Sequence, residues 1–184
     1  GSWYSINGNI DYQRTSRKNK QRMITFSYKI NTQPQTSNSN TGYEDIHAKE
    51  EVDALVKRLL LKNSQSDGKT NTMEQTFQVD YTTPIGELHT VEAGAKYIFR
   101  RNTSDNKLYE AAGGSDDYLY NEDRSSDYRH LNHILAAYLG YTLKYKDFTF
   151  KPGVRYEQTV QRVKYIVGPG AYLASGHMES ESLF

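Results

Sequence analysis

The chain has 184 residues, enough for one domain of ordinary size, but only 36% are hydrophobic and the mean hydropathy is -0.84. A net charge of +1 gives no global field toward nucleic acid or an acidic partner, and the lack of Cys excludes disulfides, thiolate metal sites and a Cys nucleophile. No apolar run approaches the roughly 20 residues of a membrane helix, and the sixteen Tyr favour half-wet surfaces.

The first residues carry no basic-then-apolar signal pattern. Gly1-Ser2 has the look of a cloning remnant and Gly176-His177-Met178 of a second cloning junction, so the expectation is a piece of something longer. Trp3 to Arg14 sets Tyr4, Ile6, Gly8, Ile10 and Tyr12 against Ser5, Asn7, Asn9, Asp11 and Gln13. A period of two sends each set to its own face of a strand. The basic stretch Arg14 to Lys20 reads as a solvated turn, and a second arm follows with Ile24, Phe26, Tyr28 and Ile30 on one side. Gln33 to Gly42 reads as a polar loop broken by Pro34.

The one helical pattern spans roughly Asp45 to Lys62, where Val52, Leu55, Val56, Leu59 and Leu60 recur at three- and four-residue spacing. Asn63 to Asn71 reads as another loop. The organising hairpin comes next. Its first arm alternates Phe77, Val79 and Tyr81 with Thr76, Gln78, Asp80 and Thr82. Its second sets Val91, Ala93, Ala95, Tyr97 and Phe99 against Thr90, Glu92, Gly94, Lys96 and Arg100. Thr83 to Glu87 carries Pro84 and Gly86 in turn order between them. One face of this hairpin is apolar, and the other holds charges that no dry core accepts unpaired.

Asn102 to Asp127 reads as a long acidic loop. Leu131, His133, Leu135, Ala137, Leu139, Tyr141 and Leu143 then alternate with Asn132, Ile134, Ala136, Tyr138, Gly140 and Thr142. After the turn at Lys144 to Asp147, Phe148, Phe150, Val154 and Tyr156 mark a last arm, with Pro152 predicting an edge or a bulge. The predicted fold is thus all-β: an antiparallel meander of hairpins with strands at about 3–14, 21–32, 73–82, 88–100, 129–144 and 148–158, a seventh at Val160 to Val167, and one short helix in a long loop. These lie in a domain over 1–167, followed by a tail at 168–184.

Short and long connections alternate, as in an outer-membrane barrel with short periplasmic turns and long extracellular loops. Tyr4 and Tyr12 bracket Ile6 to Ile10, and eight steps tilted by about 45° give roughly 19 Å of height, near the apolar band of such a barrel. Tyr97 with Phe99 marks one edge of the band, Tyr145 with Phe148 the other. A soluble antiparallel sandwich binding glycan or protein through its loops also alternates, and alternation by itself leaves it open.

The runs Gln75 to Gly86 (QTFQVDYTTPIG), His89 to Tyr97 (HTVEAGAKY), Arg100 to Asn106 (RRNTSDN), His133 to Tyr141 (HILAAYLGY) and Phe148 to Glu157 (FTFKPGVRYE) carry a resemblance. Together they resemble the outer-membrane β-barrel family of Bacteroidetes, which is related to TonB-dependent receptors. The resemblance covers roughly Trp3 to Ile166, while Ala48 to Leu61 and Ala171 to Phe184 depart from the family pattern. It implies a barrel in the Gram-negative outer membrane, usually preceded by a plug and a small sandwich domain, that takes up a nutrient with the TonB system. No plug is read in this stretch. Such transporter barrels have about 22 strands, so six or seven are a part, and an isolated part is expected to cover its apolar face by self-association or by docking the Val52–Leu60 helix.

Candidate chemistry is sparse. Glu92, Lys96, Arg155 and Glu157 are expected to face the lumen. Asp116, Asp117, Tyr118, Tyr120 and Asp123, with Tyr128, form the candidate extracellular ligand loop; carboxylates there suit a hard cation, but the spacing does not match an EF-hand, which favours a solvated loop. His130 and His133 fall on opposite faces, His47 and His89 have no partner pattern, and Gly168-x-Gly170 lacks the rest of a phosphate-binding fingerprint. No nucleophile elbow or triad signature occurs, so no enzyme, cofactor, metal or nucleic-acid partner is expected.

Overall fold

A computed structural model of the chain describes residues 1–42, 62–112, 117–168, 171 and 176–183. Nine strands form one antiparallel sheet: β1 (Ser2–Trp3), β2 (Ile6–Thr15), β3 (Met23–Thr41), β4 (Lys62–Ile85), β5 (His89–Ala112), β6 (Leu119–Tyr145), β7 (Phe148–Phe150), β8 (Gly153–Val167) and β9 (Gly176–Leu183). The order is β1-β3-β4-β5-β6-β8-β9, with β2 also on β3 and β7 also on β6, so neighbours in sequence are neighbours in space. All described strands lie in this sheet. The second sheet that a sandwich needs has no counterpart among the described residues, and no ladder joins β9 to β1 or β2.

A single layer has almost no interior. The buried apolar side chains among the described residues are Ala111, Ala136 and the turn-edge Pro84. The accessible surface is 13868 Å², against about 9,100 Å² for a compact protein of this mass. The free energy of this sheet in water therefore comes from its ladders and cross-strand pairs, and its apolar face remains to be covered by something else.

The predicted alternation holds in the register. Ile10, Tyr28, Phe77, Tyr97 and Leu135 follow one another across β2 to β6, and beside them run Tyr12, Phe26, Val79, Ala95, Ala137 and Tyr156. Ile6, Ile24, Ala93 and Leu135 share this face. Rings meet along its upper edge: Tyr28 and Phe77 at 4.7 Å, Phe99 and His133 at 5.1 Å, and Tyr97 hydrogen-bonded to His133 Nδ1 at 2.8 Å. At the short-turn edge Tyr141 meets His89 Nδ1 at 2.5 Å, with Tyr145, Phe148 and Phe150 exposed nearby. From His89 to Phe99 is ten steps, or roughly 23 Å of height at a 45° tilt, which matches the roughly 25 Å band of an outer-membrane barrel. Outward Glu179 and Glu181 on β9 interrupt the apolar face there.

Several loop readings are corrected. Gln33 to Gly42, Asn63 to Asn71 and most of Asn102 to Asp127 are not loops: β3 runs to Thr41, β4 starts at Lys62, β5 reaches Ala112 and β6 starts at Leu119. Their Asn, Ser, Gly and Pro content reads as loop because such residues are poor strand formers in isolation. Here each is templated by a neighbour already in register, with Pro34 paired to Asn71, and by side-chain bonds such as Asn38 to Asp67 (2.9 Å) and Thr32 to Asn71 (3.1 Å). These extensions carry the sheet roughly 30 Å above the upper aromatic belt.

Smaller differences follow the same logic. Val160 to Val167 continues β8 rather than forming a seventh strand, and Gly176–Leu183 pairs along β8 as β9. The turn expected at Thr83 to Glu87 is confined to Gly86-Glu87-Leu88, where Gly86 at φ 67 takes the left-handed conformation that glycine adopts without cost. Pro152 does break the ladder: β7 ends before it and β8 starts after it, while its carbonyl accepts from Tyr141 N at 2.9 Å. The helix expected over roughly 45 to 62 lies outside the described residues except for Lys62, which opens β4.

Candidate functional site: a charged wall and its outer rim

The second face of the sheet is polar because the same period of two sends every alternate residue to it. One row crosses it as Gln13, Thr25, Asp80, Gly94, Tyr138 and Arg155; the next runs Asp11, Ser27, Gln78, Lys96, Ala136 and Glu157. At its centre Tyr138 reaches across Gly94 and donates to Asp80 Oδ1 at 2.7 Å, while Gln78 donates to Asp80 Oδ2 at 2.8 Å. A Cβ at position 94 would clash with the Tyr138 ring and come within 2.6 Å of Asp80 Oδ1, so only glycine lets the ring pass this close to the strand.

Higher on the same face Arg100 places Nε and Nη2 on one oxygen of Glu74 at 2.7 and 2.6 Å. Asn132 stands opposite Arg100 in the same row, and Asn102 and His130 face each other in the next row. Asn102 Oδ1, His130 Nε2 and Asn132 Oδ1 are buried without a hydrogen-bond partner among the described residues. Buried polar atoms are ordinarily satisfied, so these three leave hydrogen-bonding capacity unused in this stretch of the wall.

The register puts Glu92, Lys96, Arg155 and Glu157 on this polar face, with Arg155 Nη2 2.7 Å from Glu157 Oε2. Lys96 and Glu92 form no ion pair among the described residues. Of the candidate loop residues, Asp116 lies outside the described residues. Asp117 and Tyr118 precede β6, while Tyr120 and Asp123 are within it, and the Tyr120 ring packs 5.7 Å from Tyr109. His130 and His133 fall on opposite faces as expected, and among the described residues no group of His, Asp and Glu is arranged to hold a metal.

The rim also holds a cluster that sequence reasoning missed. Register slips between Asn106 and Leu108 against Ser126 and Asn121, so Glu122 to Ser125 bulge out of β6. The bulge is clamped. Asn121 Oδ1 accepts from Arg124 N at 3.1 Å, and Ser125 Oγ accepts from Leu108 N at 3.0 Å while donating to the Asn121 carbonyl at 2.6 Å. Glu110, 8% exposed, receives Asn121 Nδ2 at 2.7 Å, Lys62 Nζ at 3.2 Å and the Arg124 guanidinium. The amide of Asn121 is the main cause that holds the Glu110 carboxyl below the usual carboxylate range; burial opposes it, and Lys62 and Arg124 assist. Acid, serine and asparagine are too far apart in sequence for spacing to suggest the clamp.

This gives a pH dependence with a definite sign. A lowered carboxyl pKa contributes stability that is present above the unfolded value of about 4.3 and is lost as pH falls through the folded one. Amide exchange at Leu108 and Arg124 is expected to rise on acidification below about pH 4. Glu110→Gln should show fast exchange already at neutral pH with no acid step. An acid step that survives in that variant would assign the titration elsewhere.

The arrangement lines one face with ionic and hydrogen-bonding groups able to contact a polar solute. Comparison with known proteins agrees with the geometry. Among solved structures the fold is similar to that of the ferric citrate transporter FecA in its unliganded form, with a TM-score of 0.50 and 13% identity over 99% of this chain. The chain spans 24% of that protein's length. No curated protein matches it. Over residues 13–168 the sequence matches the outer membrane protein β-barrel family, and with that stretch covering most of its length, the chain belongs to this family of the outer membrane.

Proposed function

We propose that this chain is a section of a larger outer-membrane barrel that works as a TonB-dependent receptor, taking up a nutrient through its lumen without catalysing a reaction. The observation that carries the reading is the charged wall backed by a lipid-height apolar band: Asp80, Glu92, Lys96, Arg155 and Glu157 line one face of a sheet whose other face carries aromatic belts about 23 Å apart. A wall of this kind has a use only if it bounds an aqueous space. The likeness to a ferric citrate transporter supports the same class.

In this reading the long connections face outward, and the rim around Asp117, Tyr118, Tyr120 and Asp123 meets the ligand first. Glu92, Lys96, Arg155 and Glu157 set the field along the lumen. The isolated sheet self-associates through its uncovered face and edges until lipid or detergent covers them.

Two measurements test the proposal. Leu119→Cys, at the exposed start of β6, should react with an impermeant maleimide on intact cells, while Glu87→Cys in the turn should not; the reverse pattern overturns the orientation. Cells disrupted in the gene encoding this chain should lose energy-dependent uptake of at least one scarce nutrient, with the loss reproduced by an uncoupler in intact cells. Unchanged uptake across iron chelates, glycans and cobalamins would overturn the transport reading.

A further inference from the structure

The polar face carries a groove of about 520 Å³ across β2, β3 and β4, lined by Asn7, Asn9, Asp11, Lys29, Asn31 and Glu74. That volume lies within the range of small-molecule sites. Register explains the lining. Lys29 is directly opposite Asn9 on β2 and Thr76 on β4. Asp11 and Ser27 share the row nearer the short turns, and Asn7, Asn31 and Glu74 share the row on the other side. Lys29 thus stands on a diagonal between two carboxylates.

The two carboxylates are not equivalent. Glu74 is taken by Arg100, whose Nε and Nη2 both reach its Oε2, while Asp11 Oδ2 accepts from Asn9 Nδ2 at 3.0 Å. Among the described residues neither Asp11 nor Lys29 forms an ion pair, although Lys29 is near enough for its charge to act on Asp11. Both side chains are exposed, so a solute can reach them. Opposite charges held open on a wall of amides complement a ligand that carries both signs. A lone carboxylate would be drawn to Lys29 and repelled by Asp11, and a lone amine the reverse. A neutral sugar would match neither charge.

We propose that this groove binds a zwitterionic solute of the amino-acid class, with its ammonium on Asp11, its carboxylate on Lys29 and the amides of Asn7 and Asn31 around it. Both ionic contacts are charge-assisted hydrogen bonds, and the ligand closes the ion pair that the wall leaves open. The inference rests on the transport reading above and names the class of solute that the wall takes.

The test is saturation-transfer NMR of the detergent-solubilised chain with three probes of one shape. These are L-alanine, isobutyrate, in which a methyl replaces the ammonium, and isopropylamine, in which a methyl replaces the carboxylate. L-Alanine should bind saturably, and the other two about tenfold more weakly, since each has lost one charge-assisted contact. Asp11→Asn and Lys29→Gln should each weaken L-alanine about tenfold, and Lys29→Arg, which keeps the charge, should stay within about threefold of the parent. Both positions are exposed, so all three variants should unfold at the parent's midpoint. Lys144→Gln with Asp147→Asn, the same charges removed from the β6–β7 turn, should bind as the parent does. Isobutyrate binding as tightly as L-alanine would make the groove a plain anion site and overturn the proposal. Unaltered affinity in Lys29→Gln, or equal weakening by the turn variant, would overturn it too. Binding is read without transport: no alanine binding in a chain whose loss abolishes uptake overturns this solute class alone, whereas binding with no uptake overturns the transport reading alone.

Discussion

Gly94→Ala is expected to cost more stability than any other single-carbon addition to the polar face. The new methyl meets the Tyr138 ring and stands 2.6 Å from Asp80 Oδ1, so either the strand shifts or the ring swings away. Overpacking of this kind costs about 1–3 kcal/mol. If the ring leaves, the 2.7 Å bond from Tyr138 to Asp80 goes as well, and a hydrogen bond to a charged group adds about 1.5–3 kcal/mol. Tyr138→Phe keeps the ring over the glycine and removes only the hydroxyl. The two changes share one contact, so their effects should not add. Guanidinium unfolding in detergent micelles, followed by far-UV circular dichroism, reads both variants and their combination. An unchanged midpoint for Gly94→Ala would mean that the ring does not rest on the strand.

The second large effect concerns the apolar face. Leu139→Arg places a charge near the middle of the band, opposite Ala93 and Val154, and should lower folding stability in phospholipid vesicles by about 2–4 kcal/mol. Gly140→Arg moves the same charge one residue along, to the polar face. There a Cβ has only ordinary contacts at 3.8 Å, including Glu92 Oε2, so the new guanidinium gains a partner and should be close to neutral. Adjacent positions with opposite outcomes are a direct reading of which face meets lipid. Equal tolerance at both would show that Leu139 is covered by protein or water rather than by acyl chains.

How far the sequence disclosed this structure depends on the height along each strand. Within the membrane band, Phe26, Val79, Ala95 and Ala137 follow strict alternation, and that pattern alone places them on one face. Above the belt both faces are wet. Thr32 to Thr41 and Lys62 to Thr72 then lose the two-residue contrast while keeping the backbone ladder, so a reading based on hydropathy sees loops. The wall residues Glu92, Lys96, Arg155 and Glu157 could be placed by parity. The contact of Tyr138 with Asp80 could not, because it spans 58 residues of sequence. Its one trace was Gly94, a glycine in the interior of a strong strand, which signals a close approach without naming the partner. The opposition of Arg129 to Lys164 left no trace at all, since only register creates it.

With the long connections facing outward, as proposed, the tall ladder above the belt also bears on how the cell surface is recognised by others. Along β4 an external observer meets Asp67, Lys69 and Asn71 but not Gly68 or Thr70, and along β5 Arg101, Thr103, Asp105 and Lys107 but not their neighbours. Every linear segment therefore hides half of its side chains. Antibodies raised against peptides from 62–72 or 100–112 would be selected on residues that the assembled wall turns inward. An immune system or a phage must instead read across strands, over a stiff surface whose epitopes are assembled from positions dozens of residues apart.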